Sequence, residues 1–140
     1  MNNIHPTAIL DGNIKLKDNI TIKPYTVIEG DIEIGSNCII GPFAHITGWV
    51  KIGDNTKIYS GASIGEDPQD YTFNGEKGLV VIGSNCLIRE GVTIHTPVNG
   101  QNGEKTIIGN NVFMMAYSHA AHNVKIGDNT VIANCSLLAG

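Results

Sequence analysis

"IEIGSNCIIGPFAHITGWVKIGDNTKIYSGASIG", residues 32–65, carries Ile34, Ile40, Ile46, Ile52, Ile58 and Ile64 at a constant step of six. The same phase runs back through Ile28, Ile22, Leu16 and Leu10 to Ile4, and resumes at Ile82, Ile88 and Ile94. After one shift it continues as Ile108, Met114, Ala120, Ile126, Ile132 and Leu138. Four residues beyond the lead sits a small or β-branched residue, as at Cys38, Ala44, Val50, Thr56, Ala62 and Cys86. A period of six suits neither a helix at 3.6 nor an alternating strand at 2. It suits short strands joined by tight turns. Glycine after the lead, as in "IGDN" at 52–55 and 126–129, is expected to supply backbone freedom, with Asn and Asp at the corners. Hexapeptide repeats of this kind predict an all-β parallel β-helix with coils ~4.8 Å apart.

The 140 residues suffice for one domain, 1–140, with a single core. Lys+Arg number 9 against Asp+Glu 13, a net charge of −4, and the basic residues are scattered from Lys15 to Lys125. With no basic stripe to track phosphates, nucleic acid is not an expected partner. The opening MNNIHPTAIL lacks a basic region followed by an apolar run, and no stretch nears the ~20 apolar residues that cross a bilayer. Neither a signal peptide nor membrane insertion is expected. Cys38, Cys86 and Cys135 are odd in number and lack CxxC pairing, which implies a reducing compartment, the cytoplasm by default.

Two interruptions break the period: "GEDPQDYTFNGEKGLVV" (65–81) and "HTPVNGQNGEKTI" (95–107). Both read as projecting loops, where function concentrates on such scaffolds. Hexads like these resemble the repeats of hexapeptide solenoids, which implies three hexads per coil and a left-handed winding. With each interruption counted as an insertion within one hexad, Ile64, Ile94, Ala120 and Leu138 fall on one face of successive coils. The 65–81 loop, His95, His122 and Gly140 then line one column, with His122 and Gly140 about one coil, ~5 Å, apart. A lone histidine on a turn is ordinarily a satisfied polar residue. Three histidines converging with Asp70 and a glycine suit acyl transfer, where a base must reach a hydroxyl and an amide N–H must meet an oxyanion.

At "IGEDPQDYTFNGE" (64–76), "IREGVTIH" (88–95), "MAYSHAAHN" (115–123) and "LLAG" (137–140), the chain closely resembles the acyl-[acyl-carrier-protein]–UDP-N-acetylglucosamine O-acyltransferases, which begin lipid A synthesis. The resemblance implies that His122 is the general base on the glucosamine 3-hydroxyl and that the Gly140 amide meets the thioester oxyanion. It implies that Gln69 and Asp70 hold the sugar, that His119 contacts it, and that His95 lies towards the nucleotide. The donor would be a 3-hydroxyacyl chain on acyl carrier protein, and the assembly a homotrimer. No metal and no further cofactor are implied. Asn123 stands where the family usually has Asp beside the base, and Thr72 and Thr96 stand where basic residues are frequent. The family continues past Gly140 with further coils and a helical domain, so the chain is expected to be truncated, with reduced or absent activity in isolation.

Three other readings stay open. A γ-class carbonic anhydrase shares a "VTIHT"-like stretch (92–96) and a histidine at the place of His122, but needs a third histidine where this chain has Tyr117. An acyltransferase acting on an amino sugar nucleotide is favoured by Asn123. An inactive scaffold is favoured by the missing C-terminal part.

Overall fold

Isoleucine at the head of each hexad is buried because every short strand turns that one side chain inward. In a computed structural model describing residues 1–140, Ile22, Ile28, Ile34, Ile40, Ile46, Ile58, Ile64, Ile82, Ile88 and Ile94 are no more than 1 % exposed. They stack in three parallel columns. One face runs Ile4, Ile22, Ile40, Ile58, Ile88, Met114, Ile132. A second runs Leu16, Ile34, Ile52, Ile82, Ile108, Ile126. The third runs Leu10, Ile28, Ile46, Ile64, Ile94, Ala120, Leu138. The architecture is a left-handed parallel β-helix. In the first coils the third face runs straight into the second, so the strands Ile9–Leu16 and Val27–Ile34 pair in register over their whole length.

The small residue of each hexad lies where the three faces crowd the axis. Cys38, Val50, Thr56, Cys86 and Val92 are fully buried. The thiols of Cys38 and Cys86 donate to the carbonyls of Gly53 and Gly109, each at 3.1 Å. All three cysteines are free, and Cys135 is exposed.

The corners correct one expectation. The left-handed backbone falls three residues after the lead, at Asn19, Asn37, Asn55, Asn85, Asn111 and Asn129 on one edge, with φ between 56° and 61°. Asparagine tolerates this region better than other residues with a Cβ. These side chains also link the coils, Asn19 Nδ2 donating to Asn37 Oδ1 at 2.8 Å and Asn37 Nδ2 to Asn55 Oδ1 at 3.1 Å. The glycines after the leads of the second face are not in that region. A Cβ on Gly53 would lie 2.7 Å from the carbonyl carbon of Gly83, and one on Gly83 2.7 Å from that of Gly109. Their glycine is required for close approach of successive coils, not for turning.

The two irregular segments are shorter than the sequence breaks. Strands Ser63–Glu66 and Leu79–Ile82 flank the first, and Thr93–His95 and Lys105–Ile108 the second, which contains a short 3-10 turn at Gly100–Asn102. Both leave the third face and return on the second, so they project from one corner. No helix is long and apolar enough to cross a membrane.

Candidate active site

The corner that carries both loops also carries the histidines. Thr93 pairs with His119 and Ile94 with Ala120, and in the next coil His119 pairs with Leu137 and Ala120 with Leu138. This register brings His122 level with Gly140, as the period requires. A Cβ added to Gly140 would lie 2.5 Å from His122 Nε2. Asp70 reaches across from the first loop, its Oδ2 3.4 Å from His122 Nε2. An open cleft of about 500 Å³ is lined by Gln69, Asp70, His119, His122 and Gly140, together with the apolar 137–139 strand end.

Asn123 lies behind His122 at a left-handed corner, φ 64°. Its amide pairs with the backbone of Val98 in the second loop: Val98 N–H donates to Oδ1 at 3.0 Å, and Nδ2 donates to Val98 C=O at 3.1 Å. The Asn123 N–H donates to Thr106 Oγ1 at 3.0 Å. Pairing with both backbone groups of one residue fixes which amide atom is oxygen. His122 Nδ1 lies 2.8 Å from that same Oδ1, which can only accept, so Nδ1 carries the proton. In the neutral ring Nε2 is then an unprotonated acceptor, turned toward Asp70 and the cleft.

Asp70 is held by its own loop. Thr72 donates to Asp70 Oδ1 from its hydroxyl at 2.6 Å and from its N–H at 2.8 Å. Those bonds, with a smaller contribution from His122, hold the Asp70 carboxyl below the usual range against a modest desolvation effect. Thus Thr72, the neutral residue noted in the sequence, orients the carboxylate.

His119 joins the cleft with its Nδ1 hydrogen-bonded to the Thr93 hydroxyl at 2.6 Å. His95 does not line the cleft and is only 7 % exposed. Its ring meets His119 edge-on, centroids 4.8 Å apart, and its Nδ1 has no partner. Burial, then the neighbouring His119 and His122, push His95 below the usual imidazole range, which favours the neutral ring. Tyr117 sits 64 % exposed at a corner, and no group of three or more His, Cys, Asp or Glu side chains is disposed to hold a metal.

Thr93, Thr106 and Val98 were not singled out from the sequence. Thr93 precedes His95 by two and falls in register with His119, so the same hexad count could have flagged it. Thr106 is a hydroxyl that continues a column of Ile14, Ile32, Val50 and Val80. Val98 acts through its backbone, which leaves no mark on residue type.

The model of the family described as "Bacterial transferase hexapeptide (six repeats)" matches residues 31–66 and 105–140. A relative from Aliarcobacter butzleri named acyl-[acyl-carrier-protein]–UDP-N-acetylglucosamine O-acyltransferase is 56 % identical over 100 % of this chain and 54 % of its own length. A protein of the same name from Pseudomonas putida strain W619 is 48 % identical over 100 % of this chain and 54 % of its own. Among solved structures, UDP-N-acetylglucosamine acyltransferase from Campylobacter jejuni superposes with a TM-score of 0.90 at 38 % identity, over 99 % of this chain and 53 % of that one. The Acinetobacter baumannii LpxA structure gives 0.94 at 34 % identity, over 98 % of this chain and 53 % of that one. The chain spans about half the length of the relatives it matches.

Proposed function

The chain belongs to the bacterial hexapeptide-repeat transferases, and on that premise we propose that it transfers a 3-hydroxyacyl group from acyl carrier protein to the 3-hydroxyl of UDP-N-acetylglucosamine, the opening step of lipid A synthesis. The observation that carries this reading is the His122 ring. Its Nδ1 is anchored on Asn123 and its Nε2 faces the cleft between the Asp70 carboxylate and Gly140. The names of the relatives support the substrates.

His122 Nε2 takes the proton of the sugar hydroxyl as that oxygen attacks the thioester carbonyl carbon. The Gly140 N–H meets the developing oxyanion. The tetrahedral intermediate collapses with cleavage of the C–S bond, and the carrier's thiolate takes the proton back from the imidazolium. Asp70, ionised and 3.4 Å from Nε2, is the counter-charge while the proton resides there, and with Gln69 and His119 it binds the sugar. His95 lies behind His119, on the side assigned to the nucleotide. The acyl group arrives activated as a thioester, so no cofactor is required. A homotrimer in the cytoplasm, with sites between subunits, completes the proposal.

The test is incubation with 3-hydroxyacyl-carrier protein and UDP-N-acetylglucosamine, comparing wild type with His122→Ala. Formation of the 3-O-acyl sugar nucleotide, reduced at least about 100-fold in the variant, is the expected result. Acylation of amino sugar nucleotides alone would move the assignment to an N-acyltransferase. One zinc per purified chain, or a His122→Ala variant as active as wild type, would overturn it.

A further inference from the structure

Two loops that are separate in sequence are clipped together by one carboxylate. Glu76, in the first loop, accepts the Asn99 N–H on Oε1 at 3.0 Å and the Asn74 N–H on Oε2 at 2.8 Å. Asn99 is the left-handed residue, φ 58°, ψ 33°, that opens the 3-10 turn at Gly100–Asn102. Its neighbour Val98 is the residue whose N–H and C=O clasp the Asn123 amide. Asn123 Oδ1 in turn accepts from His122 Nδ1. The loops meet closely enough that a Cβ on Gly78 would lie 2.8 Å from Pro97 Cδ, and one on Gly100 2.5 Å from Gly78 Cα.

We propose that Glu76 is a positioning residue for His122: it fixes the second loop, the loop fixes the Asn123 amide, and the amide fixes the proton on Nδ1. The consequence for catalysis rests on the acyl-transfer reading; the consequence for the ring does not. The Glu66 carbonyl also holds the start of the second loop, accepting the Thr96 N–H at 3.0 Å and the Thr96 hydroxyl at 3.3 Å, but the Glu76 bond falls on the peptide that joins Val98 to Asn99. The contacts at Gly78 and Gly100 are steric and set how near the loops come. The Glu76 bonds set the orientation of the Asn99 peptide and hence of Val98. Backbone N–H groups on both carboxylate oxygens also hold the Glu76 carboxyl below its usual range, so it stays a two-oxygen acceptor at neutral pH. Glutamine supplies one acceptor oxygen where two are used, and alanine supplies none.

The test reads the ring nitrogens of His122 by 15N NMR in the whole chain, at a pH where the ring is neutral. Wild type should give one protonated nitrogen, Nδ1, and one unprotonated, Nε2. Glu76→Ala should give a mixture of tautomers, as should Asn123→Ala, while Glu76→Gln should fall between. Hydrogen exchange at the Val98 and Asn99 amides should quicken in Glu76→Gln, a milder change that guards against loss of the fold. If the wild-type ring carries its proton on Nε2, or if ring shifts and amide exchange in the Glu76 variants match wild type, the proposal is overturned. In the acyl-transfer assay, loss of one such hydrogen bond is expected to lower kcat by about two- to tenfold, with KM for the sugar nucleotide unchanged. Failure of that assay in wild type would fall on the acyl-transfer reading and leave the NMR result to judge Glu76.

Discussion

Replacing Gly140 by alanine should disable His122 without unfolding the coil. The added Cβ would sit 2.5 Å from Nε2 and 2.6 Å from the His122 carbonyl oxygen, where ordinary contact begins at 3.4 Å. The ring must therefore retreat by about 0.9 Å, and the two coils must also part slightly, because the carbonyl belongs to the backbone and cannot swing aside. Retreat of the ring is resisted at its far end by Asn123, 2.8 Å from Nδ1. A base misplaced by about 1 Å costs roughly 100-fold in rate, equivalent to about 2.7 kcal/mol of barrier. The methyl also occupies the approach of the thioester oxygen to the Gly140 N–H. The assay is kcat/KM for transfer of the 3-hydroxyacyl group, with the thermal midpoint and the His122 ring shifts measured on the same samples. A midpoint lowered by the equivalent of about 1–3 kcal/mol, displaced ring shifts and a loss near 100-fold are expected. A variant within about threefold of wild type would mean that Nε2 does not work where the geometry puts it, and the reasoning would fail.

In the glycine column, Gly83→Ala should destabilise by about 1–3 kcal/mol in urea, since its Cβ would meet Gly109 backbone at 2.5–2.7 Å. A Gly83→Ala variant as stable as wild type would refute close approach as the reason for the column. The lowered Asp70 carboxyl contributes stability that is present above the unfolded-state value and lost as pH falls through the folded one. The gap in urea midpoint between wild type and Asp70→Asn should therefore close as pH drops below about 4, and a gap constant with pH would refute the pairing with Thr72.

Much of this arrangement is readable from the period. Counting hexads with each break treated as an insertion predicts the stacking of Ile64, Ile94, Ala120 and Leu138, which the strand pairs reproduce. From that follows the level placement of His122 and Gly140. The count places His95 only approximately, because the register slips between Ile94 and His95, and the ring turns to His119. Gly41 and Gly65, after their leads, do take positive φ, at 93° and 94°, but the glycines after the leads of the second face are misjudged for a physical reason. A glycine needed for a positive φ and a glycine needed for a close neighbour look alike in sequence, and only the backbone distinguishes them. The second loop is the least readable part, since its contribution to the site is a pair of peptide groups at Val98.

Asn123 joins these two levels. It occupies the same place in its hexad as the corner asparagines Asn37 and Asn55, three residues after the lead and in the left-handed region. At the ordinary corners the amide bridges to the asparagine of the next coil. At this corner the preceding coil is interrupted by the second loop, so the amide meets Val98 backbone instead, and its oxygen has a lone pair left for His122 Nδ1. A scaffold residue is thereby turned into the group that sets the tautomer of His122, the base of the proposed transfer. The same geometry explains why this position is an amide. A carboxylate would place an acceptor against the Val98 carbonyl and a charge near Glu104, whose Oε2 lies 3.5 Å from Asn123 Nδ2. The loop contact would weaken just where the ring proton would be held more strongly. In this chain the balance between holding the loop and placing a charge beside His122 is struck for the loop, and Asp70, on the other side of the ring, is left to supply the charge.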